Sequence, residues 1–213
     1  MKVLLLKDYT TGYAWGQLIV DSFMLHITQV PSAQVDICEA CGGEALPSVD
    51  QYDLIILTGG TFNLLSTSFD EFPAWVQQVL NQIRDLAANR NNTKVLGICW
   101  GHQVVQFAHG ATLSPLVEGS RGLLKFHKRY ITSLAPGFTA LAENNEILIS
   151  ESKKILTFQG HPEMTQQIAQ ELIDTDDGTY RVSVENTVSS VKGIETSHDG
   201  GLVWEKIMKW AQS

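Results

Sequence analysis

Gly97-Ile98-Cys99-Trp100-Gly101-His102-Gln103 is the stretch on which the fold of this chain turns. The apolar run Lys94-Val95-Leu96 precedes it, and the helical pattern Val104-Val105-Gln106-Phe107-Ala108 follows it. A buried strand therefore stops at a cysteine, and a helix begins just beyond. Glycines two residues either side of Cys99 permit a sharp, strained turn that holds a nucleophile above the edge of a sheet. The pattern is the G-x-S-x-G turn with cysteine in place of serine. The helix N-terminus behind Cys99 offers partial positive charge, which favours thiolate over thiol.

Outward from this turn, the first half of the chain alternates strand and helix signals. Residues 3–6 read as a short apolar strand. Residues 14–27 have helical spacing, with Leu18, Ile19, Phe23 and Ile27 on one face. Residues 34–38 and 52–57 read as further strands, the latter running into Thr58-Gly59-Gly60. Residues 72–88 form a long amphipathic pattern with Pro73 in its first turn, and residues 94–98 are the strand that leads to Cys99. Such alternation predicts an α/β fold, a mostly parallel central sheet with helices on both faces. The second half reads differently. Residues 111–131 and 147–158 hold short β-like pieces broken by Gly, Pro and Asn. Leu156-Thr157-Phe158-Gln159 looks like a strand delivering Gly160-His161-Pro162-Glu163. Helical patterns follow at 165–173, 180–191 and 202–210, with Asp199 and Gly200 at the entry to the last. No repeat or linker interrupts the 213 residues, so one domain over 1–213 is expected.

Composition narrows the partners. A formal net charge of -8 argues against nucleic acid or an anionic membrane, either of which would call for a basic face. No apolar run approaches the roughly 20 residues that span a bilayer. The N-terminal apolar run meets charge again at Lys7 and Asp8, too soon for a signal peptide. Three cysteines suggest a reducing compartment, and a cytoplasmic location is the default. Cys38-Glu39-Ala40-Cys41 has C-x-x-C spacing, but zinc would need two more ligands and a redox pair would need to open a helix. No metal is expected.

A cysteine nucleophile needs a base, a group to orient that base, and donors for the oxyanion. His161 and Glu163 can supply the first two, because residues i and i+2 of an extended segment share a side. A carboxylate beside imidazole fixes its tautomer and stabilises its protonated form. The Trp100 amide, at the start of the helix, is one candidate oxyanion donor. Gly60, at the end of the neighbouring strand, is the other. Gly59 and Gly60 also let backbone approach a ligand closely at the carboxyl ends of the strands. The Trp100 side chain is expected to cap this crevice, whereas His102 reads as an early helical residue facing the sheet.

These motifs together resemble the class I glutamine amidotransferase family, whose triad domain carries G-x-C-x-G-H-Q and, several tens of residues later, H-P-E. Both match here, as Gly97 to Gln103 and as His161-Pro162-Glu163. The resemblance runs from Val3 to about Gln170 and points to free-standing members similar to the amidotransferase domain of GMP synthetase. It implies a flavodoxin-like fold and no cofactor. It also implies attack by Cys99 on the side-chain amide of glutamine or a related γ-glutamyl amide, through a γ-glutamyl thioester. His161 would then serve as acid and base, and Glu163 would orient it. Gln103 would lie beside the substrate, and Gly59 and Gly60 would form the oxyanion loop. Members either pass ammonia to a synthase partner or cut γ-glutamyl bonds in peptides and conjugates. The alternatives are therefore a γ-glutamyl peptidase acting on glutathione-like compounds, or a binding or regulatory subunit that retains the fold without turnover. His127 matches a histidine that precedes the H-P-E strand in many relatives, and it reads either as a pocket-wall residue or as surface. Arg129 stands where the family usually has Asp, and residues 118–126 are short for the strands that wall the pocket. Both departures predict a more open site or altered γ-glutamyl specificity.

Overall fold

The computed structural model describes residues 1–10, 12, 14–88, 92–116, 127–175 and 199–213. The expected helix at 180–191 and the short stretch 118–126 lie outside the described residues. Among the described residues a seven-stranded sheet forms the centre. Its strands are β1 (Lys2–Asp8), β2 (Gln34–Glu39), β3 (Leu54–Gly60), β4 (Lys94–Ile98), β7 (Phe138–Ala140), β8 (Ile147–Ser150) and β9 (Ile155–Phe158). The spatial order is β2-β1-β3-β4-β9-β8-β7. The five strands from β2 to β9 run parallel, while β8 and β7 close one edge antiparallel. A separate antiparallel pair, β5 (Thr112–Pro115) and β6 (Arg129–Ser133), lies beyond the helix that follows β4.

Strand alternation explains the two cores. Leu4, Leu6, Ile55, Leu57, Val95 and Ile155 point to one face, and Val3, Leu5, Leu54, Ile56, Leu96, Ile98 and Leu156 to the other. Helices α2 (Ala74–Ala88) and α3 (Trp100–Ala108) cover the first face. Helices α1 (Ala14–Ile27), α4 (Gln166–Asp174) and α5 (Gly200–Gln212) cover the second. Near-continuous apolar strands are what a sheet buried on both faces requires. This is the flavodoxin-like α/β arrangement the motifs implied.

Element ends differ from the sequence reading in instructive ways. β1 continues through Lys7 and Asp8, which are 4% and 1% exposed. Charge does not end the strand because Lys7 pairs with Glu39 of β2 at 2.9 Å. β3 includes Gly59 and Gly60, which carry it to the edge where β4 ends. Pro73 accepts bonds from the Val76 and Gln77 amides, so it opens α2 as its fixed φ favours. Thr165 caps α4 by accepting from the Ile168 amide at 3.2 Å. Asp199 precedes α5 without a side-chain cap bond.

Candidate active site

Cys99 joins the end of β4 to the start of α3. Its backbone has φ 53° and ψ -100°, a positive-φ conformation outside the left-handed helical region, which costs a non-glycine residue about 1–3 kcal/mol. Two bonds over-determine it: the Cys99 amide donates to the Phe158 carbonyl of β9 at 2.8 Å, and the Cys99 carbonyl accepts from the Gln103 amide at 3.1 Å. The flanking glycines serve close approach rather than positive φ. A Cβ on Gly97 would lie 2.6 Å from the Gly101 carbonyl oxygen, and one on Gly101 would strike the Leu57 carbonyl of β3. Strand, turn and helix are therefore pressed together beneath the cysteine.

His161 arrives just past β9, and its Nδ1 lies 2.7 Å from Glu163 Oε1. Glu163 is 1% exposed, so it is a buried acid and not a solvated helix-start residue. Ser22 of α1 holds this segment by donating to the Glu163 carbonyl at 2.7 Å. Gly59 brings β3 against the same ring. A Cβ there would sit 3.1 Å from His161 Cε1 and 3.8 Å from Cys99 Cβ. Burial disfavours a charged imidazole, yet the charges of Glu163 and Cys99, and hydrogen bonds to both, raise His161 well above the ordinary histidine value. Glu163 and Cys99 thus flank the imidazole, and both favour its charged form.

Gly60 packs between Asp8 and the Trp100 ring. A Cβ on it would lie 2.6 Å from the Asp8 carbonyl oxygen and 3.2 Å from Trp100 Cγ. Thr58 fixes this corner, accepting from the Asp8 amide at 3.0 Å and donating to the Gly59 carbonyl at 2.9 Å. Trp100 occupies the first position of α3. Its side chain does not cap the crevice. The indole is fully buried in the core against Trp75, and its Nε1 donates to the Phe62 carbonyl at 2.9 Å. A helix-start side chain on this face points under the sheet edge, where a large apolar ring gains more than it would in a wet cleft.

Gln103 is 1% exposed and belongs to a polar network with Arg129 and Gln159, the latter 2% exposed. Sequence reading named Gln103 but not the other two as partners. Gln159 carried a usable signal, being a polar residue at the end of an apolar strand two positions before His161. His127 is buried, and its charge acts with burial, the larger cause, to push His102 down to about 3. His102 itself bonds Thr157 Oγ1 of β9 through Nδ1 at 2.8 Å, so it faces the sheet as expected. Burial and, secondly, Glu44 push the Cys38 thiol up to about 11, while burial and then Glu39 do the same for Cys41. Both remain thiols at neutral pH, unlike a nucleophile or metal ligand. Among the described residues no cluster of His, Cys, Asp or Glu is placed to hold a metal ion, and no helix is long and apolar enough to cross a membrane.

A turn cysteine beside a His–Glu pair, at the carboxyl ends of a mostly parallel sheet, defines a class: the α/β proteins built like glutamine amidotransferases. A crystal structure of a glutamine amidotransferase from Thermotoga maritima superposes with a TM-score of 0.67 over 99% of this chain and 98% of its own, at 17% identity. No protein-family model matches the sequence. The glutamine amidotransferase-like protein chry6 of Gibberella zeae is 34% identical over 232 residues, covering 99% of this chain and 95% of its own. The chain belongs to the glutamine amidotransferase-like family. Gamma-glutamyl peptidase 3 of Arabidopsis thaliana is 21% identical over 192 residues, covering 76% of this chain and 74% of its own.

Proposed function

We propose that the chain is a cysteine-dependent amidohydrolase that acts on glutamine or a related γ-glutamyl amide. The observation that carries this reading is the His161–Glu163 pair, 2.7 Å apart and raised toward imidazolium, next to a cysteine in a strained turn. Cys99 Sγ attacks the γ-carbonyl carbon as thiolate, and its proton resides on His161. The carbonyl oxygen becomes an oxyanion facing the Trp100 amide at the start of α3 and the Gly60 backbone. As the tetrahedral adduct collapses, the C–N bond breaks and His161 gives its proton to the leaving ammonia or amine. A γ-glutamyl thioester remains on Cys99. His161, now neutral, takes a proton from water, which attacks the thioester and releases the free γ-carboxylate and the Cys99 sulfur. Side chains and water suffice for each step.

The likeness to a γ-glutamyl peptidase motivates a second reading, in which the leaving group is the amine of a peptide or conjugate. That Cys38, Cys41 and Cys99 form no disulfide supports action in a reducing, cytoplasmic setting. The test is mass spectrometry of the intact protein after brief exposure to glutamine and to γ-glutamyl dipeptides. A γ-glutamyl increment on Cys99, absent from Cys99→Ala, is expected. The substrate that gives it separates glutaminase from peptidase. Equal turnover by wild type and Cys99→Ala sinks both, and no adduct with any substrate favours a binding subunit.

A further inference from the structure

The end of β3 reaches the cysteine turn without the support that holds the rest of the strand. Among the described residues β3 pairs with β4 from Leu54 to Leu57, where Leu57 lies opposite Gly97, and no further. Thr58, Gly59 and Gly60 run on past that point beside β1. The register with β1 shifts there. Leu6 lies opposite Leu57, but Asp8 lies opposite Gly60, so Thr58 and Gly59 together oppose Lys7 alone. This is a β-bulge, an extra residue that bends its strand and re-aims it. The bent end brings Gly59 to the triad, where a Cβ would sit 3.1 Å from His161 Cε1 and 3.8 Å from Cys99 Cβ.

Asp8 and Thr58 hold the bulge through reciprocal bonds. The Asp8 amide donates to Thr58 Oγ1 at 3.0 Å, and the Thr58 amide donates back to the Asp8 carboxyl. The Thr58 hydroxyl donates in turn to the Gly59 carbonyl at 2.9 Å. Asp8 shares a side of β1 with Leu4 and Leu6, the side that α3 covers. A Cβ on Gly60 would lie 3.1 Å from Asp8 Cβ and 3.2 Å from Trp100 Cγ. Asp8 therefore stands beside both candidate oxyanion donors, the Gly60 backbone and the start of α3. It is 1% exposed, and burial holds its carboxyl well above the ordinary aspartate value. A neutral acid both accepts and donates hydrogen bonds, and it sets no negative charge beside a developing oxyanion.

We propose that Asp8 is a positioning residue for acyl transfer, which through Thr58 holds the bulged end of β3 so that Gly60 faces the developing oxyanion. The assignment rests on the amidohydrolase reading of the same site. Its test separates the oxyanion from the nucleophile. Hydrolysis of γ-glutamyl-p-nitroanilide builds negative charge on the carbonyl oxygen. Alkylation of Cys99 by iodoacetamide displaces iodide from a saturated carbon and builds none there, yet both reactions need the thiolate. In Asp8→Ala kcat/KM is expected to fall about ten- to a hundredfold, the cost of an oxyanion donor out of place. The alkylation rate of Cys99, read by peptide mass spectrometry, should stay at the wild-type value. Asp8→Asn, neutral and of the same shape, should recover most of the turnover. Thr58→Val keeps the volume and removes both hydroxyl bonds, so it should behave as Asp8→Ala does without opening a cavity. Hydrogen exchange gives a readout free of turnover: Asp8→Ala should speed exchange at residues 58–60 and leave residues 95–98 as protected as in wild type.

Turnover and alkylation that fall together, full turnover in Asp8→Ala and Thr58→Val, or an Asp8→Asn as slow as Asp8→Ala overturns the assignment. So does unchanged exchange at residues 58–60. Wild type that hydrolyses neither glutamine nor γ-glutamyl-p-nitroanilide would sink the amidohydrolase reading. Faster exchange at residues 58–60 in Asp8→Ala would then leave the hold of Asp8 on β3 standing.

Discussion

Glu163→Gln separates the charge of the triad from its geometry. The glutamine side chain keeps an acceptor oxygen where Glu163 Oε1 lies 2.7 Å from His161 Nδ1, in a site where residue 163 is 1% exposed. Only the negative charge goes. A hydrogen bond to a charged group is worth about 1.5–3 kcal/mol and a neutral one about 0.5–1.5, so the loss is about 1–2 kcal/mol. If Glu163 stabilises an imidazolium that forms during the reaction, kcat/KM falls roughly five- to thirtyfold. The same charge carries a pH signature in stability. His161 is raised in the folded chain, so its stabilisation is complete below the ordinary histidine value near 6.5 and is lost as pH rises through the raised value. Urea unfolding of Cys99→Ser and Cys99→Ser/Glu163→Gln, a background free of the thiol's own titration, should show the largest gap at about pH 5–6. The gap should shrink on the alkaline side. A gap that is flat, or that grows with pH, refutes the imidazolium–carboxylate assignment. So does wild-type kcat/KM in Glu163→Gln.

Gly59→Ala places a Cβ 3.1 Å from His161 Cε1, so turnover should fall by tenfold or more while thermal unfolding shifts little. Unchanged kcat would show that the ring is free to give way. Gly101→Ala drives a Cβ into the Leu57 carbonyl, and calorimetry should find the chain destabilised by about 1–3 kcal/mol or more. Asp8 has both carboxyl oxygens buried, and burial pushes it well above the ordinary aspartate value against an opposing hydrogen bond from the Thr58 backbone. An acid raised in the folded state destabilises that state once pH passes its unfolded value, near 4. Asp8→Asn should therefore stabilise the protein by on the order of 1 kcal/mol at pH 7 and less at pH 4. Equal denaturation midpoints for the two proteins at neutral pH would contradict this.

Much of the sheet was legible because a parallel strand buried on both faces must be apolar almost throughout, and few other elements look so. Lys7 and Asp8 were misread as the end of β1 because two residues distant in sequence decide their fate. Glu39 neutralises Lys7, and Thr58 receives the Asp8 amide. A window along the chain cannot price a charge whose partner lies 32 residues away. The same limit applies around the site. His161 and Glu163 are two residues apart, so their meeting was readable. The Ser22 bond to the Glu163 carbonyl spans 141 residues, and the Gln103–Arg129 pair spans 26. Nothing local announces either.

The glycines around Cys99 carry a different lesson, since their presence was read correctly and their cause was not. Two flanking glycines suggested a turn that needs their conformational freedom. Among the described residues the positive φ falls on Cys99 itself and not on Gly97 or Gly101. The glycines are required because a Cβ at either position would collide with backbone, at the Gly101 carbonyl for Gly97 and at the Leu57 carbonyl for Gly101. That difference has mechanical consequences. Freedom would let the turn relax, whereas close contact clamps it between β3 and α3 and holds the strain on the cysteine. The clamp is continuous with the site, because β3 runs on from Leu57 through Thr58 to Gly59, which lies against His161. A substitution at Gly101 therefore acts on the position of the base as well as on the nucleophile. Its effect on turnover should exceed what its effect on stability alone predicts.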